Sequence, residues 1–275
     1  MKDFPLIILT WHSINVLGNR YTENDPLAFR EDIQTLDQNG WRIAPLADAL
    51  RRLGLGTLDQ PTAVLTVDDG SILDFEDFVH PSCGPQTSLF HSLRAFRDQE
   101  GGRIRHHPHL SSFVIASPEA RSELDRRDYM SLNVWPDHWW SAANQSGLIS
   151  IESHSWDHNH ASLERSAQRD NQRGDFRLIE TESECRIEID QASDYIAERS
   201  GRRPEYFAYP YGQASDYLRE VYFPQRAARL GIRAALGCDP EPVSKSSDRW
   251  FLPRYMCGRD WKQPNELAHI LADVA

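Results

Sequence analysis

The sequence predicts an α/β fold: a single distorted (β/α) barrel of about seven or eight mostly parallel strands. Three observations carry that expectation. Short apolar runs such as Leu6–Trp11 and Thr62–Val67 alternate with helical stretches, the pattern of a parallel sheet with crossover helices. The chain has 275 residues, 40 % of them hydrophobic, enough for one sizeable core and ordinary for an α/β barrel. Acidic residues and histidines fall just beyond the apolar runs, where such a barrel carries its functional rim.

Leu6-Ile7-Ile8-Leu9-Thr10-Trp11 reads as a strand buried on both faces, and His12 is the first residue after it. Asp25-Pro26 opens a helix as N-cap and first-turn proline, with Phe29, Ile33 and Leu36 on one stripe and Gly40 as its stop. Trp41 to Ala44 forms a second short strand, and Pro45 to Leu53 a second helix closed by Gly54. The strand Thr62–Val67 ends in Asp68-Asp69-Gly70. Pro81, Gly84, Pro85, Gly101, Gly102 and Pro108 interrupt the next forty residues, so about 71–110 is expected to be an irregular insertion or lid, with one helix around Ser88 to Phe96.

Ser111 to Ala116 is the next strand, and Asp137 to Gln145 a short helix approached through Trp135, Trp139 and Trp140 and broken by Gly147. Leu148 to Ser153 is a strand that runs into His154-Ser155-Trp156-Asp157-His158-Asn159-His160. The longest helix starts at a capping box, Thr181 with Glu184, and points Cys185, Ile189, Ala192 and Ile196 inward until Gly201 ends it. A strand Tyr206–Tyr209, two helical pieces split by Pro224, strands Ile232–Leu236 and Trp250–Tyr255, and a closing helix Pro264–Val274 complete the chain. The whole length, 1–275, is expected to be one domain.

A formal charge of −11 argues against a nucleic-acid or anionic-membrane partner, since both demand clustered Lys and Arg. The four cysteines, Cys83, Cys185, Cys238 and Cys257, form no C-x-x-C pair and read as free thiols. The apolar run after Met1-Lys2-Asp3-Phe4-Pro5 is too short for a signal-peptide core, and no later stretch approaches a membrane span. Cytoplasm is the compartment these features predict; oligomeric state is left open.

The chemistry starts from His154 and His158, whose i, i+4 spacing beyond a strand lets two imidazoles face one ion. Any single histidine on a loop is more often a hydrogen-bonded polar residue, and Asp-Asp-Gly by itself is as readily a turn. At a strand end, however, the chain leaves the pleat, so both Asp68 and Asp69 reach the barrel mouth, one to ligate a metal and the other to take a proton. An Asp with two His leaves the fourth tetrahedral position open, the composition of a catalytic site. His12 stands on the same rim as a general acid. Tyr209-Pro210-Tyr211-Gly212 is a rigid turn that aims the Tyr211 N–H at an oxyanion, and Arg254 is placed to orient a carboxylate by a bidentate contact. His106-His107-Pro108-His109 reads as solvated loop. His160 is a second-shell or substrate contact, and Trp135, Trp139, Trp140 and Trp156 form either a stacking wall for sugar rings or plain core.

Thr66-Val67-Asp68-Asp69-Gly70, His154-Ser155-Trp156-Asp157-His158 and Phe207-Ala208-Tyr209-Pro210-Tyr211-Gly212, in that order, resemble the first three motifs of the polysaccharide deacetylase family. The resemblance implies a distorted (β/α) barrel, a single divalent metal held by Asp69, His154 and His158, and Asp68 as general base. Zinc is the first expectation for the metal, with cobalt, nickel, iron or manganese compatible with the same donors. The third motif has Ala208 and Tyr209 where many members carry an arginine, and no Leu-x-His closes the chain; His269 lies in the terminal amphipathic helix. Both departures resemble the poly-N-acetylglucosamine deacetylase branch with permuted motifs, where the acid histidine follows an N-terminal strand similar to Leu9-Thr10-Trp11-His12-Ser13. What this implies is an N-acetylated saccharide substrate, with Tyr209, Pro210, Trp156 and His160 as contacts. Hydrolysis of small C–N compounds or O-acetyl esters on the same fold is the rival chemistry, and a non-catalytic carbohydrate-binding barrel the rival of another class.

Overall fold

In the computed structural model, which describes residues 4–99, 105–166 and 172–275, the apolar runs become the strands of one curled sheet. In chain order the strands are β1 (Leu6–Trp11), β2 (Arg42–Ile43), β3 (Thr62–Val67), β4 (Phe78–His80), β5 (Gly84–Gln86), β6 (Leu110–Val114), β7 (Ile149–Ser153), β8 (Tyr206–Ala208), β9 (Ala234–Leu236) and β10 (Tyr255–Met256). The main sheet runs β10-β1-β3-β6-β7-β8-β9 with β2 beside β3, and every pair in it is parallel. Its two ends are drawn together by the segment before β10. Leu252 donates to Ala235 O at 2.9 Å and accepts from Gly237 N at 2.8 Å on the β9 side, while β10 pairs with β1. This seam is shorter than the predicted Trp250–Tyr255 strand, because Pro253 has no N–H for the ladder and Asp248 holds Trp250 and Phe251 in a turn.

Alternation along the strands sorts the core into two layers. Leu6, Ile8, Val64, Phe113, Ala208, Leu236 and Leu252 pack together inside the curl. Ile7, Leu9, Trp11, Leu65, Val67 and Ile151 face outward, under helices. The helices are α1 (Asp25–Gln38), α2 (Leu46–Leu55), α3 (Leu89–Gln99), α4 (Pro118–Asp128), α5 (Trp140–Ser146), α6 (Glu182–Cys185), α7 (Ala192–Ser200), α8 (Phe223–Leu230) and α9 (Pro264–Val274). Successive side chains on β1 therefore serve either the inner layer or the helix-facing layer, which is why this run has no polar face.

Several boundaries differ from expectation for identifiable reasons. Asn24, not Asp25, caps α1 by accepting from Leu27 N, which leaves Asp25 to accept from His12 N. Helix α2 runs on to Leu55 and ends at Gly56 in the left-handed region, not at Gly54. Pro224 follows directly on a π turn, Tyr217–Tyr222, that runs into α8; the widened turn accommodates its missing N–H, so the two predicted pieces form one helical stretch. The capping box at Thr181 is present, and α6 and α7 are joined through a π turn, Arg186–Gln191. Within 71–110 the chain is more regular than predicted: β4 and β5 form a hairpin and α3 packs on α1, while Gly101 and Gly102 lie outside the described residues. Among the described residues no helix is long and apolar enough to cross a membrane.

Candidate metal centre

The site lies on the rim formed by the C-terminal ends of β3 and β7. Register places Val64, Thr66 and Asp68 on the inner face of β3, so Asp68 projects into the barrel, and its N–H donates to Trp11 O at 3.0 Å. The chain then leaves the pleat through two left-handed residues, Asp69 (φ 73°) and Gly70 (φ 75°). A Cβ at Gly70 would lie 2.5 Å from Val114 Cγ1, so glycine is required there sterically as well as conformationally. This turn brings the Asp69 carboxylate back over the rim.

His154 continues the inner face of β7, and its backbone N–H donates to Val114 O at 2.9 Å. Beyond it Ser155, His158 and Asn159 all have positive φ. The segment following β6 splints both loops. Ile115 N donates to Asp69 O, Ala116 N to Ser155 O and Ser117 N to Trp156 O, at 3.4, 3.1 and 2.7 Å. Within the histidine loop, Ser155 Oγ accepts from His158 N and Asp157 Oδ1 accepts from Asn159 N.

The two imidazoles converge on Asp69: Nε2 of His154 is 3.7 Å and Nε2 of His158 3.8 Å from the same Oδ1. Two ligands at ordinary zinc distances and a tetrahedral angle would be about 3.3 Å apart, whereas a direct hydrogen bond would be about 2.9 Å. The spacing thus suits an ion between them better than direct bonds. His154 Nδ1 lies 2.8 Å from Ala208 O, a contact that needs the proton on Nδ1 and frees the Nε2 lone pair toward the cluster. Burial pushes the pKa of both histidines below the ordinary value, which favours the neutral, ligating form. Asp69, His154 and His158 form the one group of this kind among the described residues, and their donor set fits a divalent cation.

Beside this cluster Asp68 is clamped by Arg254. Nη1 meets Oδ1 and Nη2 meets Oδ2, each at 2.8 Å, with both side chains buried. Arg254 fills the inside of the curl, donating to Gly237 O at 2.8 Å, within 3.3 Å of the Thr10 and Thr66 hydroxyls and over the Phe113 ring. Burial alone would raise the Asp68 carboxyl, but the charges of Arg254, His154 and His12 and the paired hydrogen bonds outweigh it and hold the group at about 2. The half-buried His12, anchored by its backbone N–H to Asp25, is close enough for its charge to act on both Asp68 and His158. Tyr211 (φ 59°) stands edge-on to the His158 ring at 4.5 Å, and its hydroxyl accepts from Ala161 N. The His160 ring is 5.3 Å from His158 and its Nδ1 accepts from Ser162 N.

Other predicted contacts are placed elsewhere. Tyr209 is fully buried among Phe207, Phe223 and Phe251 with its hydroxyl on Trp250 O, so its side chain has no surface to offer a substrate; Pro210 is buried as well. Trp135, Trp139 and Trp140 are core, which removes them from a stacking wall, and Trp156 keeps partial exposure while packing on Tyr195. The histidine cluster is not a solvated loop throughout. His106 is buried, accepting from Ile43 N and bonding Asp37, while His107 is exposed.

Asp74 escaped sequence reasoning. It is fully buried, its two oxygens accept from Ser13 and Ser112 hydroxyls at 2.5 Å, and it ties the segment after His12 to β6. Burial, aided by the charges of Asp69 and Asp68, pushes its carboxyl up to about 7. Ser71 three residues earlier was the only local signal.

The family model described as polysaccharide deacetylase matches residues 110–235. The matched stretch carries His154, His158 and the Phe207–Gly212 turn. No curated protein matches the chain. Among solved structures, the Streptococcus pyogenes deacetylase PplD in complex with acetate has a TM-score of 0.66 at 17 % identity, covering 98 % of this chain and 99 % of that one. IcaB from Ammonifex degensii gives 0.62 at 18 % identity over 98 % and 97 %. The deacetylase domain of BpsB from Bordetella bronchiseptica gives 0.60 at 16 % identity over 93 % and 96 %. At these identities the three structures establish the fold.

Proposed function

We propose that this chain is a metal-dependent hydrolase that removes acetyl groups from an N-acetylated sugar, in the permuted arrangement of the poly-N-acetylglucosamine deacetylase branch. The observation that carries the proposal is the juxtaposition of a buried, arginine-clamped aspartate with an Asp–His–His cluster on one rim. The family match and the deacetylase named with bound acetate support the acetyl chemistry.

Asp69, His154 and His158 would hold the cation, zinc in our proposal, which when bound supplies a Lewis acid for the acetyl carbonyl and acidifies water. Asp68, ionised throughout the neutral range, accepts the proton of the attacking water; the clamp by Arg254 occupies one lone pair on each oxygen and leaves others free. The Tyr211 N–H donates to the oxyanion as the carbonyl is attacked. His12, whose charge reaches both Asp68 and His158, gives a proton to the amine as the C–N bond breaks, so acetate and a free amino sugar leave. The exposed face of Tyr211, with the His160 ring 6.4 Å away, lines the approach for the sugar, and Trp156 is a further contact in this reading.

Acetate release from N-acetylglucosamine oligomers, compared with small amides and O-acetyl esters on the same metal-loaded preparation, tests the substrate class. Asp69→Ala should lose both metal and turnover. Asp68→Asn should keep metal and lose about 10²–10⁴-fold in kcat, as expected for a missing general base. Full activity in Asp68→Asn would sink the mechanism, and oligomer binding without acetate release would point to a carbohydrate-binding barrel.

A further inference from the structure

We propose that Glu188 is a positioning residue for the metal cluster: its buried carboxyl fixes the loop between His154 and His158 so that both imidazoles face Asp69. This inference rests on the metal-binding part of the function proposed above and is independent of the substrate. Glu188 is 2 % exposed, yet it sits in a helical stretch where its neighbour Ile189 makes ordinary core contacts. What turns it toward the site is the π turn Arg186–Gln191 between α6 and α7, a local widening of the helix that is often found at functional sites.

The Glu188 carboxyl reaches the middle of the histidine loop. Its Oε2 accepts from Trp156 N at 3.2 Å and lies 3.4 Å from Asp157 N, and its carboxyl is hydrogen-bonded to that of Asp157. Asp157 in turn accepts from Asn159 N with its Oδ1. One acid thus holds the backbone on both sides of the point where the loop leaves Ser155 (φ 71°) for His158 (φ 66°). Strained backbone persists only where neighbours over-determine it, and the splint after β6 binds carbonyls of this loop, not its N–H groups. Glu188 is the complementary anchor, on the donor side.

The test uses the full-length protein stripped of metal and titrated with Zn²⁺ and Co²⁺. Glu188→Ala should weaken metal binding about 10–100-fold, the usual cost of removing a group that orients metal ligands, and should alter the visible spectrum of the Co²⁺ form. Glu188→Gln can accept from the same N–H groups and donate its amide N–H to Asp157, so it should stay within about threefold of wild type on the same scale. Amide exchange read without metal should show lost protection at Trp156 and Asp157 in Glu188→Ala. Asp32→Asn, which disturbs another buried carboxyl that holds Trp11, Tyr21 and Trp261, should leave metal affinity unchanged. Wild-type affinity and exchange in Glu188→Ala would overturn the proposal, as would a loss in Glu188→Gln as large as in Glu188→Ala. If Glu188→Ala does not fold, Glu188→Met, which fills the same space but accepts no bond from Trp156 N or Asp157 N, takes its place with the same expected loss. If wild type binds no metal, the metal reading fails and the exchange measurement alone judges Glu188.

Discussion

Replacing Arg254 with methionine leaves a carboxylate buried without its cation, and the consequence can be worked from the geometry. Arg254 makes two 2.8 Å contacts to Asp68 and one to Gly237 O, in a barrel interior where neither side chain of the pair meets appreciable solvent. Removing one member of such a pair costs about 3–5 kcal/mol, because the remaining charge is uncompensated. The pH dependence gives the sign. In wild type the depressed Asp68 pKa contributes stability that is fully present above about 4 and is lost as pH falls toward about 2. In Arg254→Met, burial is no longer opposed by the guanidinium and the carboxyl pKa moves upward, so stability is lost as pH rises through the new value. The wild-type-to-variant gap should therefore widen from acid to neutral pH. Urea unfolding of metal-free protein, followed by far-UV circular dichroism across that range, measures it. Arg254→Met with Asp68→Asn should recover about 2 kcal/mol relative to Arg254→Met alone at neutral pH, since no charge is then stranded. A gap that does not change with pH, together with strict additivity in the double variant, would refute the argument that Asp68 is what the buried arginine is there to hold.

Gly70→Ala should be severe: the new Cβ would lie 2.5 Å from Val114 Cγ1 and 2.9 Å from Val114 Cα at φ +75°. Because β6 is paired on both sides it cannot retreat, so a loss of about 3 kcal/mol or more and a displaced Asp69 are expected, read by urea unfolding and metal titration; near-wild-type behaviour would contradict the packing. His109 supplies a second pH effect, well away from the metal ligands. Burial, then the charges of Arg202 and His107, push its pKa down to about 4, so the unfolded chain takes up its proton first as pH drops. Stability should fall by at most about 3 kcal/mol between roughly pH 6.5 and pH 4 on this account, and His109→Leu should flatten that slope in pH-dependent unfolding curves.

The strand ends were legible because parallel strands buried on both faces leave plain apolar runs, and the chain places its Asp and His just past them. The capping box at Thr181 was equally plain, since it is local chemistry. Helix α4 was not seen at all: it offers few apolar positions, with Ala120 and Leu124 buried, and closes its inner face with Arg121, whose guanidinium bonds Trp135 O and Asp137. Tyr209 was misplaced because a turn motif fixes the backbone path but does not say which neighbouring side chain turns inward. Glu188 was invisible for a deeper reason. A π turn has no sequence signature in this stretch, and a glutamate beside Ile187 and Ile189 reads as the solvent side of an amphipathic helix.

The distribution of backbone strain says why the site takes the residues it does. Of eight non-glycine residues with positive φ among those described, five (Asp69, Ser155, His158, Asn159 and Tyr211) lie in the turns around the cluster. Each costs about 1–3 kcal/mol, so together they approach the whole stability of an ordinary domain. Glycine would relieve every one of them, and glycine is what the chain uses at Gly70 and Gly212, where a Cβ would strike Val114 or Cys238. The strained positions instead keep side chains with specific partners. Asp69 and His158 converge as donors of the cluster, Ser155 Oγ accepts from His158 N, Asn159 Nδ2 donates to Asp175 O, and the Tyr211 hydroxyl accepts from Ala161 N. Side-chain function and backbone ease conflict at these five positions, and function has taken precedence. The bonds from Ile115–Ser117 and Glu188 are what make that arrangement tolerable in a folded chain, which is also why the ligands are held in place before any ion arrives.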